Sequence, residues 1–259
     1  MELPIYQIDA FADELFQGNP AAVCPLEAWI PEALMQSIAA ENNLSETAFF
    51  VRAGDLFEIR WFTPLGEVDL CGHATLASAY VILNHQYADH GPLVFQSASG
   101  ELRVTPEGDL LQLDFPAING KVTAIFPELV DCLGVQPEEV FTATDHMVVL
   151  PSEESLVALE PDFGKMKALS VRGVIATAPG SQVDFVSRFF APSHGIDEDP
   201  VTGSAHCLLT PYWAERLGKT LLSARQLSRR GGSLQCQLSG DRVLISGKAV
   251  PYLEGIIQI

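Results

Sequence analysis

Apolar and polar residues alternate along much of this chain. Phe57, Ile59 and Trp61 are interleaved with Glu58 and Arg60, and Leu234, Cys236 and Leu238 with Gln235 and Gln237. A period of two marks half-buried strands, and residues 93–96, 102–105, 111–115, 171–177, 183–190 and 242–246 read the same way. Short Gly, Asp and Pro turns such as Pro106-Glu107-Gly108-Asp109 separate them and favour antiparallel pairing. Three segments break the period. Pro31 opens a helix over residues 31–41, with Leu34, Met35 and Ile38 on one face and Asn42-Asn43 ending it. Residues 73–84 and 204–217 are apolar around most of a helical circumference, the pattern of a central, buried helix. The expected fold is α+β, with each sheet rolled around its own helix.

The chain also repeats itself. Arg60-Trp61-Phe62-Thr63-Pro64 is answered half a chain later by Arg188-Phe189-Phe190-Ala191-Pro192, and Val68-Asp69 by Ile196-Asp197. Each copy then reaches a glycine and a small-residue apolar run, Gly72-His73-Ala74-Thr75-Leu76-Ala77 and Gly203-Ser204-Ala205-His206-Cys207-Leu208. Duplication predicts two pseudosymmetric lobes, 1–118 with the C-terminal strand 250–259, and 119–249, with the active site in the cleft between them. The unequal parts of the repeat, Cys71-Gly72-His73 and residues 197–204, are where the chemistry is expected.

Composition narrows the function. With 47% hydrophobic and 19% charged residues in 259, the chain can build sizeable cores. A net charge of −18 argues against a nucleic-acid partner. The first residues lack the basic and apolar regions of a signal peptide, and no apolar run is long enough to span a bilayer, which fits a cytoplasmic protein without a membrane partner. Five scattered cysteines without a C-x-x-C indicate neither a disulfide framework nor a zinc site.

Helix starts carry free backbone N–H groups and partial positive charge, so they attract carboxylates. Two such starts at Gly72 and Gly203 would suit a small anionic substrate, the glycines allowing close backbone approach. The alternative is that both are ordinary helix caps. Nearby, His73 titrates near neutrality, and Asp199 is held extended by Pro200, unless it merely caps its helix. Glu46 shares a strand face with Leu44, Ala48 and Phe50, and a carboxylate among apolar neighbours suits proton transfer. Its alternative is a strand start that points to water or pairs with an arginine. Ser204, His73 and Asp199 have the residue types of a hydrolytic triad, but G-x-S-x-G is absent. Cys71 and His73 are metal-ligand types without a second pair, and no phosphate-binding glycine loop is present, so neither a metal nor a nucleotide cofactor is expected.

The motifs Gly18-Asn19-Pro20-Ala21, Asn43-Leu44-Ser45-Glu46-Thr47, Arg60-Trp61-Phe62-Thr63-Pro64, Leu70-Cys71-Gly72-His73-Ala74-Thr75, Glu198-Asp199-Pro200-Val201-Thr202-Gly203-Ser204-Ala205-His206-Cys207 and Arg230-Gly231-Gly232 together resemble the PhzF, or phenazine biosynthesis-like, isomerases, in that family's order. The resemblance implies the diaminopimelate-epimerase-like fold, homodimers, and cofactor-free proton transfer on a small carboxylate. The founding enzyme moves a proton from C3 to C1 of trans-2,3-dihydro-3-hydroxyanthranilate. By resemblance Glu46 is the proton shuttle, His73 and Asp199 are the polar partners that bind and polarise the substrate, and Asn19, Gly72, Gly203 and Ser204 contact it. Epimerases of this fold use two opposed cysteines; Cys71 matches the first position, but Cys207 lies beyond Ser204, inside the helix. An amino- or hydroxy-acid epimerase and a non-catalytic binding protein are the alternatives.

Overall fold

In the computed structural model Phe57, Ile59 and Trp61 are buried while Glu58 and Arg60 are half-exposed, as their alternation requires. The structure describes residues 1–86 and 91–259. The chain divides into two compact units, Met1–Phe115 with Ile245–Ile259, and Pro116–Leu244.

The first unit begins with β1 (Glu2–Ala10), β2 (Asn19–Leu26), α1 (Glu32–Asn42), β3 (Glu46–Ala53), β4 (Leu56–Phe62) and β5 (Glu67–Val68). It continues through α2 (Gly72–Val81), which runs on into a π-helical turn at Ile82–Gln86, to β6 (Leu93–Ser97), β7 (Gly100–Glu107) and β8 (Leu110–Pro116). Gly18 turns β1 into β2 at φ +65°, where a Cβ would lie 2.2 Å from the carbonyl oxygen of Ala10, so only glycine fits. Pro31 forms the cap of α1 rather than its first residue, its carbonyl accepting from Leu34 and Met35, and Asn43 ends the helix at φ +50°. One side of this sheet packs Ala22, Cys24, Phe49 and Phe62 on Met35, Ile38 and Ala39 of α1. α2 packs on β1, β2 and β3 and is buried at His73 to Ala79 and at Val81.

The second unit contains β9 (Lys121–Thr123), α3 (Pro127–Leu133), β10 (Glu139–Thr142), β11 (His146–Val149), α4 (Glu153–Val157), α5 (Phe163–Met166), β12 (Val174–Pro179), β13 (Phe185–Ala191) and β14 (Ile196–Asp199). It ends with α6 (Gly203–Leu217), β15 (Leu221–Gln226) and β16 (Gly232–Ser239), after which β17 (Arg242–Gly247) leads to β18 (Ala249–Gln258), antiparallel to β1. α6 holds Pro211 in its interior, which removes the N–H that would bond the Cys207 carbonyl. The N–H of Ile118 takes that carbonyl instead, at 2.9 Å, so the proline leaves no orphan.

The start of one strand differs from the sequence expectation. Strand β12 starts at Val174, three residues after the start read from sequence, because the backbone bends at residues 171–172. Turn chemistry favours antiparallel pairs, and the family resemblance implies a mixed sheet; β2–β3, β4–β6, β11–β12 and β13–β15 are parallel among antiparallel pairs, so the sheet is mixed. Each of these pairs is linked through a helix, the crossover that parallel strands need. Among the described residues no helix is long and apolar enough to cross a membrane.

Candidate active site

Glu46 is the first residue of β3, and the parallel register sets it beside Ala21 of β2. Alternation puts Glu46, Ala48 and Phe50 on one face with Asn19 and Ala21, the face toward α2. Glu46 therefore starts its strand without pointing to water: its side chain is only 13% exposed. His73, second residue of α2 and 7% exposed at its side chain, brings Nε2 to 3.1 Å from Glu46 Oε2. The contact is close but poorly aligned, and neither atom has a hydrogen-bond partner among the described residues.

Cys71, the cap residue of α2, completes a row. Its Sγ lies 3.6 Å from His73 Nδ1, so the imidazole stands between thiol and carboxylate. Burial pushes the Cys71 thiol up to about 11, with the Glu46 charge adding to it. Burial alone would push His73 down, but Cys71 and the Glu46 carboxylate outweigh it and lift the imidazole well above its usual value. The three side chains offer one metal donor each within 4.8 Å of one another. They suit a proton relay better, since the nitrogen facing sulfur is not the one facing the carboxylate.

Neither α2 nor α6 has a side-chain cap bond from its cap residue or an acidic residue in its first turn. The hydroxyl of Thr202, the cap residue of α6, instead donates to Asp199 Oδ2. Gln226, wholly buried, sets that direction: its Nε2 donates to Thr202 Oγ1 at 3.2 Å and to the Asp199 carbonyl at 2.8 Å, while its Oε1 accepts from Thr202 N at 2.9 Å. With its lone pair engaged by Gln226, the Thr202 hydroxyl gives its proton to Asp199. Ser204 Oγ accepts from Arg172 at 3.0 Å, and Arg172 is itself forked onto Asp145.

Glu46, Cys71, His73, Asn19 and Gly72 thus belong to the first unit, and Asp199, Gly203 and Ser204 to the second. Asn19 is fully buried at the start of β2. Gly72 and Gly203 are the first residues of α2 and α6. Gln226, Arg172 and Asp145 were not singled out from sequence. Each has partners 24 to 32 positions away, and no local pattern marks such a residue.

The family described as phenazine biosynthesis-like protein matches residues 8–255. The chain belongs to this family. An uncharacterized isomerase of Pseudomonas aeruginosa is 54% identical over the whole of both chains, and one of Halalkalibacterium halodurans is 46% identical over 98% of this chain and 97% of its own. A PhzF-family crystal structure from Enterococcus faecalis superposes with a TM-score of 0.98 at 50% identity, covering all of both chains. A hydroxyproline epimerase of Agrobacterium vitis has a TM-score of 0.66 at 10% identity, over 99% of this chain and 92% of its own, a likeness of fold alone. The chain has the diaminopimelate-epimerase-like fold.

Proposed function

We propose that this chain is an isomerase that moves a proton on a small carboxylate substrate, with Glu46 as the shuttle and no cofactor. The observation that carries the reading is the buried contact of Glu46 Oε2 with His73 Nε2 at 3.1 Å. In this reaction the Glu46 carboxylate removes a proton from a saturated carbon next to a π-system conjugated with the acid, and the C–H electron pair delocalises through that system. Protonated Glu46 then returns the proton to another carbon of the same system. Nothing is oxidised and no group leaves, so side chains suffice. His73, whose imidazole is raised above its usual value beside Cys71 and Glu46, is placed to stabilise the developing negative charge. By the family resemblance Asp199 is assigned polar substituents of the substrate, and Ser204 with the first-turn N–H groups at Gly203 its carboxylate.

The second reading, an amino- or hydroxy-acid epimerase, draws on Cys71 beside His73. It lacks a second thiol. Thr202 caps α6 where Cys71 caps α2, and Cys207, inside α6, is pushed up to about 12 by burial. A binding protein without turnover would have no use for a carboxylate and an imidazole left in imperfect contact.

The test starts with trans-2,3-dihydro-3-hydroxyanthranilate and a panel of cyclic and amino carboxylates in D₂O. Wild type should place solvent deuterium at a carbon of one of them. Glu46→Gln should still be stabilised thermally by that compound while losing about 10²–10⁴-fold or more in turnover. Near-normal turnover in Glu46→Gln would remove the mechanism.

A further inference from the structure

The proton transfer proposed above does not call on Arg172, yet this residue is fixed on three sides. Its Nε donates to Asp145 Oδ1 at 2.8 Å and its Nη2 to Asp145 Oδ2, forming a two-pronged pair with a carboxylate that is only 3% exposed. Its guanidinium lies 5.5 Å over the ring of Phe189. The same Nη2 donates to Ser204 Oγ at 3.0 Å, and among the described residues this is the recorded partner of that hydroxyl. A serine hydroxyl has one proton and two lone pairs. Once an arginine occupies a lone pair, the proton is free to be donated elsewhere. Ser204 is the second residue of α6, so its proton becomes available beside the uncapped first-turn N–H groups.

We propose that Arg172, locked by Asp145, is a positioning residue that fixes Ser204 as a hydrogen-bond donor to a singly charged planar carboxylate. This rests on the reading of the α6 start as a carboxylate contact. The carboxylate does not pair with Arg172 itself. Asp145 already matches that cation in charge and occupies its fork, leaving neutral donors at the helix start. Neutral donors suit a monoanion and give no advantage to a phosphate dianion, which would need unpaired positive charge.

Calorimetric titration of the full chain with anthranilate, a stable planar monocarboxylate, and with phenyl phosphate tests this. Wild type should bind anthranilate and prefer it to phenyl phosphate. Ser204→Ala and Arg172→Gln should each weaken anthranilate about 10- to 100-fold, the range for one hydrogen bond to a charged group. The double variant should be no weaker than either single one, because both remove the same donor. Ser204→Thr, which keeps the hydroxyl, should restore binding in the wild-type background and not beside Arg172→Gln. If Arg172→Gln fails to fold with Asp145 left unpaired, Arg172→Gln with Asp145→Asn removes both charges and should show the same loss. Additive losses, or full binding by the folded Arg172 variants, would overturn the role of Arg172 and leave the Glu46 mechanism intact. Absence of anthranilate binding by wild type, or tight binding by Ser204→Ala, would overturn the carboxylate reading of the α6 start itself.

Discussion

At the scale of single residues, the repeat is one arginine device used twice. Arg60 lies 5.2 Å over the ring of Phe62, and Arg188 lies 5.0 Å over that of Phe190, because residues two apart on a strand share a face. Each arginine then grips a glutamate with two nitrogens, Arg60 on Glu67 at 2.7 and 2.6 Å and Arg188 on Glu198 at 2.7 and 3.0 Å. Their surroundings differ. The Arg60 and Glu67 side chains are 29% and 32% exposed, against 12% and 21% for Arg188 and Glu198, and Arg188 also donates to the carbonyls of Leu156 and Leu159. Arg60→Met should therefore cost about 1 kcal/mol, as for an exposed pair. Arg188→Met should cost about 3 kcal/mol, since it strands a largely buried carboxylate and two carbonyls. Urea unfolding of the two variants checks the order; equal losses would mean that burial does not set the difference. The arginines were visible in sequence as a repeat and His73 and Asp199 as candidate chemistry in its unequal parts, whereas Glu46 took its expected role from the family resemblance. The contact of Glu46 with His73 was not, because it depends on the register of β3 beside β2 and on α2 packing over both.

At the scale of elements, the long central helices were legible because a helix without a polar face has to be covered. Helices α3, α4 and α5, of seven, five and four residues, were not, being too short to display a 3.6-residue period. The starts of α2 and α6 differ in a way that pH should expose. Thr75 Oγ1 donates to the Cys71 carbonyl at 2.5 Å, and His206, at the same position of α6, donates its Nδ1 proton to the Thr202 carbonyl at 2.8 Å. His206 is fully buried with Nε2 unpartnered, and burial lowers it from 6.5 to about 4. Between those values the unfolded chain holds a proton that the folded chain does not, so this contribution is complete above 6.5 and declines as pH falls toward 4. The loss between pH 7.5 and 5 should be about 2 kcal/mol from this one residue. His73 works in the opposite sense. Its raised value makes its contribution complete below 6.5 and lost as pH climbs through the folded value. Denaturant unfolding of His206→Gln at the two pH values should show a smaller acid loss than wild type by about that amount. An unchanged loss would mean that His206 takes up its proton in the folded state.

At the scale of the whole molecule, a net charge of −18 makes two copies repel, so any association between them needs a face poor in charge. Strand β18, with the sequence Ala-Val-Pro-Tyr-Leu-Glu-Gly-Ile-Ile-Gln, offers one, Glu254 being its single charged residue. Its recorded pairing among the described residues is with β1, and Tyr252, Leu253 and Ile256 are 49%, 43% and 66% exposed. Phe16, 65% exposed, sets its ring edge-on against Tyr252 at 5.8 Å, and a groove of about 370 Å³ lined by Ile5, Leu44, Leu253 and Ile257 adjoins the strand. A long apolar strand of this kind is a liability unless something covers it. A second copy of this chain can, because two identical strands related by a twofold axis meet antiparallel and match apolar residue to apolar residue. The family resemblance, which implies homodimers, points the same way. The expected state is thus a dimer through β18, burying about 800 Å² on each partner. It should tighten as salt screens the repulsion, the reverse of an interface held by ion pairs. Light scattering after gel filtration at low and high salt should show a dimer favoured by salt. Ile256→Lys should convert it to a monomer, and because Ile256 is exposed its stability should stay within about 0.5 kcal/mol of a monomeric reference. A wild-type monomer at micromolar concentration would end the idea of a homodimer, whereas an Ile256→Lys chain that remained dimeric would move the interface to another face.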